Sequence, residues 1–99
     1  MSAITDFPLV VPVKDFGQTI SALAIKRPTG KQIRQHGLPY RVNDAGEVQI
    51  HMGVVCAYAA ELASVTAGAV DAMDPVDLNK LAWVIAGFFL NSESATPVT

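Results

Sequence analysis

The stretch Leu23-Ala24-Ile25-Lys26-Arg27-Pro28-Thr29-Gly30 joins an extended apolar run to a helix start with almost no chain between them. Arg27 precedes a proline and is pushed toward extended geometry, while Pro28 has no N–H to donate to a continuing ladder. The strand must stop there. Thr29 then supplies an N-cap hydroxyl, Gln32 three positions on completes a capping box, and Gly37 suits the C-terminal cap, which predicts a short helix over 30–36. A chain with this join sets a strand directly against a helix, so the fold class is α+β.

The strand has a partner upstream. Leu9-Val10-Val11-Pro12-Val13 reads as a first strand, with Pro12 tolerable on a sheet edge, and Lys14-Asp15-Phe16-Gly17 supplies the turn. Gln18 to Ile25 follows as the second strand, with Ser21, Leu23 and Ile25 on one face. The prediction is an N-terminal β-hairpin over about 9–25. Two strands alone are marginal in water and must pack on helices or pair with another edge.

Leu38 to Glu47 holds Pro39, Asn43, Asp44 and Gly46 and reads as a loop. Beyond it Val48, Met52, Val55, Ala59 and Leu62 recur at alternating steps of four and three, predicting a longer helix over 48–65. Thr66-Ala67-Gly68 breaks that helix, and 69–73 has room for one further helical turn. Asp74-Pro75-Val76-Asp77 is a second strong start, with Asp74 as N-cap, Pro75 at the first helical position and Asp77 favouring the positive helix end. It opens a last helix over 75–90. Residues 1–6 and the Ser/Thr/Pro-containing 91–99 read as flexible ends around a single domain over 7–90.

Both long helices are apolar around most of their circumference, in keeping with a chain that is 51% hydrophobic. If they pack on each other and on the hairpin, the sides carrying Val54 and Tyr58, and Trp83 and Val84, still lack cover. Uncovered apolar surface of this kind marks self-association or a partner, commonly a helix laid in a groove. Charge adds a second signal. The first 43 residues hold six Lys/Arg against two carboxylates, and the remainder seven carboxylates against Lys80 alone, within a net charge of −2. The basic half can orient an acidic partner through residues such as Arg27 and Arg34. Val54, Tyr58, Trp83, Val84, Arg27 and Arg34 are therefore the candidate partner-binding residues.

Other chemistry lacks support. The acidic balance argues against a dedicated nucleic-acid binder, and a helix-turn-helix reading of 30–36 is disfavoured because that helix is short. The apolar run 81–90 is about half the length a membrane span needs. Cys56 is the sole cysteine, so no intrachain disulfide forms and a reducing cytoplasm is expected. His51 and Cys56 lie five apart, about 140° around a helix, and diverge. His51, Tyr58 and Glu61 fall near one stripe, which predicts a polar surface network. Asp71, Asp74 and Asp77 lack further ligands of metal-loop spacing, and capping accounts for two of them. No catalytic, cofactor or metal residues are assigned.

Two motifs occur in order: Leu23-x-Ile25-Lys26-Arg27-Pro28-Thr29, then Ala72-Met73-Asp74-Pro75-Val76-Asp77-Leu78 leading into Ile85-Ala86-Gly87-Phe88-Phe89-Leu90. With the chain length, they resemble the phage tail assembly chaperones of contractile-tailed phages of the Mu and P2 kind, over about Phe7 to Leu90. The resemblance implies a small non-enzymatic protein of an infected or lysogenic bacterial cytoplasm. It would hold the helical tape measure protein, help recruit tail tube subunits and not remain in the virion. The loop Leu38 to Glu47 is not explained by the resemblance. A structural tail or head component that stays in the particle is the competing class.

Overall fold

The structure, a computed structural model, describes residues 4–90. Its elements run β1 (Ile4–Asp15), β2 (Gln18–Lys26), α1 (Gly30–His36), β3 (Tyr40–Val42), β4 (Val48–Ile50), α2 (Met52–Leu62), α3 (Ala67–Asp71) and α4 (Pro75–Leu90). The α+β class with an N-terminal hairpin is as expected. β1 starts earlier than predicted, inside the segment read as a loose terminus, because Ile4, Thr5 and Asp6 pair with Lys26, Ile25 and Ala24. Residues 1–3 and 91–99, which complete the two ends expected to be flexible, lie outside the described residues.

Phe16 and Gly17 form the tight turn of the β1–β2 hairpin with φ of 52° and 75°. Two consecutive left-handed residues suit a two-residue hairpin, because their twist matches that of the strands. Glycine adopts this freely, whereas Phe16 carries a Cβ into a disfavoured region and stands 88% exposed at the tip.

The ladder is interrupted where the prolines fall. Pro8 pairs with Ala22 and Val13 with Ile20, so the four residues from Leu9 to Pro12 oppose Ser21 alone. Pro12 is thus accommodated in a bulge within the edge strand. The amides this bulge releases find one acceptor: the Asp77 carboxylate in the first turn of α4 takes Val10 N–H on Oδ1 and Val11 N–H on Oδ2, each at 3.0 Å. Asp77 is 1% exposed. Nearer the tip, Asp15 receives the Thr66 hydroxyl at 2.7 Å and the Thr66 N–H at 3.2 Å, while that same hydroxyl accepts from Ala69 N–H to cap α3. Two β1 sites are thereby fixed to two helix starts.

The helices cover one face of the hairpin. Phe7, Leu9 and Val13 of β1 with Leu23 and Ile25 of β2 meet Val55, Tyr58 and Leu62 of α2, Val70 of α3, and Leu81 and Ile85 of α4 in one core. The α4 prediction holds from Pro75 to Leu90, with Asp74 Oδ2 accepting from Val76 N–H at 3.1 Å.

The helix predicted over 48–65 is shorter. Residues 48–50 instead form β4, antiparallel to β3 with Tyr40 opposite Ile50. The loop between them closes on Asn43, whose Oδ1 accepts from Ala45 and Glu47 N–H and whose Nδ2 donates to Glu47 Oε1 at 2.8 Å. Gly46 supplies the left-handed turn at φ 84°. Helix α2 starts only after His51, whose ring Nδ1 accepts from Val54 N–H. At the other end Ser64 is left-handed and Val65 N–H reaches back to Ala60 O at 3.0 Å, a Schellman-type closure that ends the helix before 65. Helix α3 begins at Ala67, two residues before the predicted 69–73 turn, because Thr66 caps it.

The amide donors hold the Asp77 carboxyl below its ordinary value, Val11 first and Val10 next, against the opposing effect of burial. A folded pKa below the unfolded one means the stabilisation is complete above the unfolded value, about 3.9, and is lost as pH falls through the folded value. Thermal melts of the protein and of Asp77→Asn should therefore converge as pH drops below about 4. Curves that stay parallel would show that the carboxylate charge does not hold the bulge.

Candidate functional site

Two neighbouring regions carry Trp83, Arg27 and Arg34, three of the residues singled out in the sequence. The first is the outward side of α4. Val76, Lys80, Trp83 and Leu90 are exposed, with Gly87 half-buried among them, and these positions share one helix face by their steps of three and four. Val76, Trp83 and Leu90 recur every seven residues. Trp83 is 48% exposed. No side chain comes within 4 Å of where a Cβ on Gly87 would stand, so an approaching helix can come close beside Trp83. Val84 lies around the helix from this stripe, half-buried against the core.

The second region is α1 and its approach. The capping box forms as predicted: Thr29 Oγ1 accepts from Gln32 N–H at 3.3 Å, and Gln32 Oε1 accepts from Thr29 N–H at 2.9 Å. Gly37, at φ 81°, donates to Ile33 O at 2.8 Å. Arg27 and Arg34 are exposed, together with Lys26, Lys31 and Arg41. The Arg27 guanidinium lies 5.7 Å from the centre of the Phe88 ring, which joins this basic region to the last turns of α4. Among the described residues the one basic nitrogen within reach of a carboxylate oxygen is His36 Nε2, 2.9 Å from Glu61 Oε1, so none of these five cations is paired there.

Tyr58 was expected on uncovered surface and is instead 0% exposed. Its hydroxyl donates to Gly37 O at 2.6 Å, with Gln32 O at 3.3 Å, so α1 closes over the side of α2 that periodicity alone left open. The ring meets His36 and Phe89 edge-on at 5.1 and 5.6 Å. Burial raises the phenol pKa, and the negative charge of Glu61 adds to the rise. Val54 is half-buried against the core. The structure thus keeps Trp83, Arg27 and Arg34 accessible, leaves Val54 and Val84 partly so, and removes Tyr58 from any partner surface.

The expected cluster of His51, Tyr58 and Glu61 does not form, since each is engaged elsewhere: His51 caps α2, Tyr58 holds α1 and Glu61 meets His36. Cys56 is half-buried, and burial foremost, then Asp71, raises its thiol pKa. That makes it a poor nucleophile at neutral pH. Among the described residues no enclosed pocket forms, no three His, Cys, Asp or Glu side chains are placed to hold a metal, and no helix is long and apolar enough to cross a membrane. What is on offer is surface, apolar along α4 and basic around α1.

Residues 6–90 match the family model described as "Phage tail assembly chaperone proteins, E, or 41 or 14". The chain belongs to the phage tail assembly chaperone family. The match runs from β1 to the end of α4, so it takes in the hairpin, the bulge and both surface regions. No curated protein and no solved structure matches the chain. As a family member the chaperone is expected to meet phage tail proteins, and accessible surface without an enclosed pocket suits such contacts.

Sequence reasoning missed Asp77 as the acceptor for β1 and Asp15 as the acceptor for Thr66. Helix-start rules explain an acidic residue at position 77 without reference to a strand 66 residues earlier. Placing Asp15 beside a turn likewise gave it a local reason to be there.

The divided roles predict divided effects. Tyr58→Phe should lower stability by about 1 kcal/mol through the lost hydrogen bond. Tyr58→Asp should cost roughly 4 kcal/mol or more by burying an unpaired charge in place of a ring. Trp83→Asp should cost about 1 kcal/mol or less, as expected of an exposed position. Urea titrations monitored by circular dichroism check all three. Equal losses at 58 and 83 would contradict the assignment of one to the core and the other to the surface.

Proposed function

We propose that this tail assembly chaperone binds the phage tape measure protein and promotes tail tube assembly, acting without catalysis in the host bacterial cytoplasm and departing before the virion is complete. The observation that carries the reading is the exposed heptad-spaced stripe Val76, Trp83 and Leu90 on α4. A long helical client presents apolar stripes that aggregate until they are covered. A stripe of matching spacing covers one of them by side-by-side helix packing, in which apolar residues repeat about every 3.5 positions.

Specificity in this reading comes from shape and charge together. Trp83 is the large aromatic anchor of the kind that dominates binding energy, Gly87 permits close approach, and Lys80 places one cation on the same face. The marginal area of one helix face suits a chaperone that must release its client, since small interfaces are those of transient complexes.

Co-expression with the tape measure protein of the same phage, followed by affinity purification and light scattering, tests the proposal. A soluble complex is expected from the native chain, with recovery reduced at least about tenfold for Trp83→Asp, as for the loss of an aromatic anchor. No complex, with a tape measure protein that stays soluble by itself, would overturn the reading. Recovery of the chain from purified virions would favour a structural tail component instead.

A further inference from the structure

Helix α1 buries none of its side chains. A seven-residue helix is too short to be stable alone, yet this one is held by a complete capping box, by the Tyr58 hydroxyl on the Gly37 carbonyl at its C-cap and by the His36 contact to Glu61. These devices fix its position through backbone groups and the one flank that faces α2. They leave its outer side chains free. That outer side carries Arg34, flanked by Lys31 one turn before it and, around the other flank, by Ile33, with Leu38 just past the cap, all exposed. Lys26 and Arg27 stand three and two residues before the Thr29 cap, and among the described residues none of the four cations forms an ion pair. The nearest carboxylate known to contact α1, Glu61, is turned to its inner flank by His36.

We propose that the outer face of α1 is a rigid docking platform for an acidic, amphipathic helical segment of a partner protein, distinct from the α4 stripe. Carboxylates of the segment pair with Lys31, Arg34, Lys26 and Arg27, and its apolar residues cover Ile33 and Leu38. Charge complementarity selects the occupant: four cations without an ion-pair partner among the described residues are gathered within nine residues of a chain whose net charge is negative. A pre-fixed platform lowers the ordering cost of binding, which is what the capping of α1 and its tethering to Tyr58 achieve. The two exposed apolar side chains favour a protein segment over a nucleic-acid backbone, which offers phosphates but no greasy strip. The inference rests on the chaperone reading only in taking the occupant to be a protein.

The test uses the native chain and three probes in fluorescence anisotropy at low and at high salt. The first is a synthetic helical peptide with glutamates on one face and leucines on the other, the second has lysines replacing those glutamates, and the third is a short DNA duplex. The acidic peptide is expected to bind at least about tenfold more tightly than the basic one and to weaken with added salt. Lys31→Glu combined with Arg34→Glu should reduce that binding at least about tenfold with an unchanged thermal melt. If that pair disturbs folding, the neutral Lys31→Gln with Arg34→Gln serves, with a smaller loss in the same direction. Equal affinity for the two peptides, no binding of the acidic one, unchanged binding by the variants, or tighter binding of the duplex would each overturn the proposal. Because no probe is the tape measure protein, a positive peptide result beside a failed co-purification would remove the proposed function and leave the platform standing.

Discussion

The grip of Asp77 on the backbone of β1 is the constraint around which the rest of the fold is arranged. A bulge of four residues opposite one takes the Val10 and Val11 amides out of the ladder, and where they turn toward the buried Asp77 they need an acceptor. Supplying both acceptors from one carboxylate in the first turn of α4 satisfies the bulge and fixes where that helix begins. Its first turn also places the charge at the positive end of the helix dipole, so one group meets two electrostatic needs. From that point α4 extends toward the open end of the hairpin, where Arg27 meets Phe88. Asp15 repeats the device at the tip by holding the cap of α3. The hairpin, too small to be stable by itself, becomes one wall of a core.

With the helices anchored in this way, the question of which apolar faces remain open has a definite answer. Tyr58 is closed off by α1 and by Phe89, and Tyr40 of β3 reaches Phe89 at 6.4 Å from the other side. The short elements between the hairpin and α2 therefore act as covers. Among the described residues nothing performs that service for Trp83. The excess of apolar residues noted in the sequence thus resolves into a majority that build the core and a stripe on α4 that stays exposed.

The parts of this arrangement that were legible in the sequence are those set by neighbours in the chain. Thr29 with Gln32, Asp74 with Pro75 and the alternation of Leu23 with Ile25 are local patterns with local physical causes, and each produced the expected element. β4 was misread because Val48, Met52 and Val55 fit a helical spacing as well as Val48 and Ile50 fit a strand, and the deciding factor was the closure of residues 43–47 around the Asn43 side chain. Ser64 hid the end of α2 because glycine is the usual residue at a left-handed cap. Tyr58 was misplaced for a different reason: helical periodicity gives the angle of a side chain but not what lies across from it. Asp77 shows the same limit at long range, since a residue with a sufficient local explanation gives no sign of a second role. Of the candidate surface residues, Arg27, Arg34 and Trp83 were legible as exposed because charge and excess apolarity both exceed what the core can absorb.

The central claim is that α4 meets the client through the stripe centred on Trp83, the single tryptophan of the chain. Fluorotryptophan incorporated only into this protein reports on that one position by fluorine NMR, whatever the client contains. On adding the tape measure protein, the account predicts a shifted and broadened resonance that loses its sensitivity to solvent. A complex that forms while the resonance keeps its position and its solvent response would contradict it.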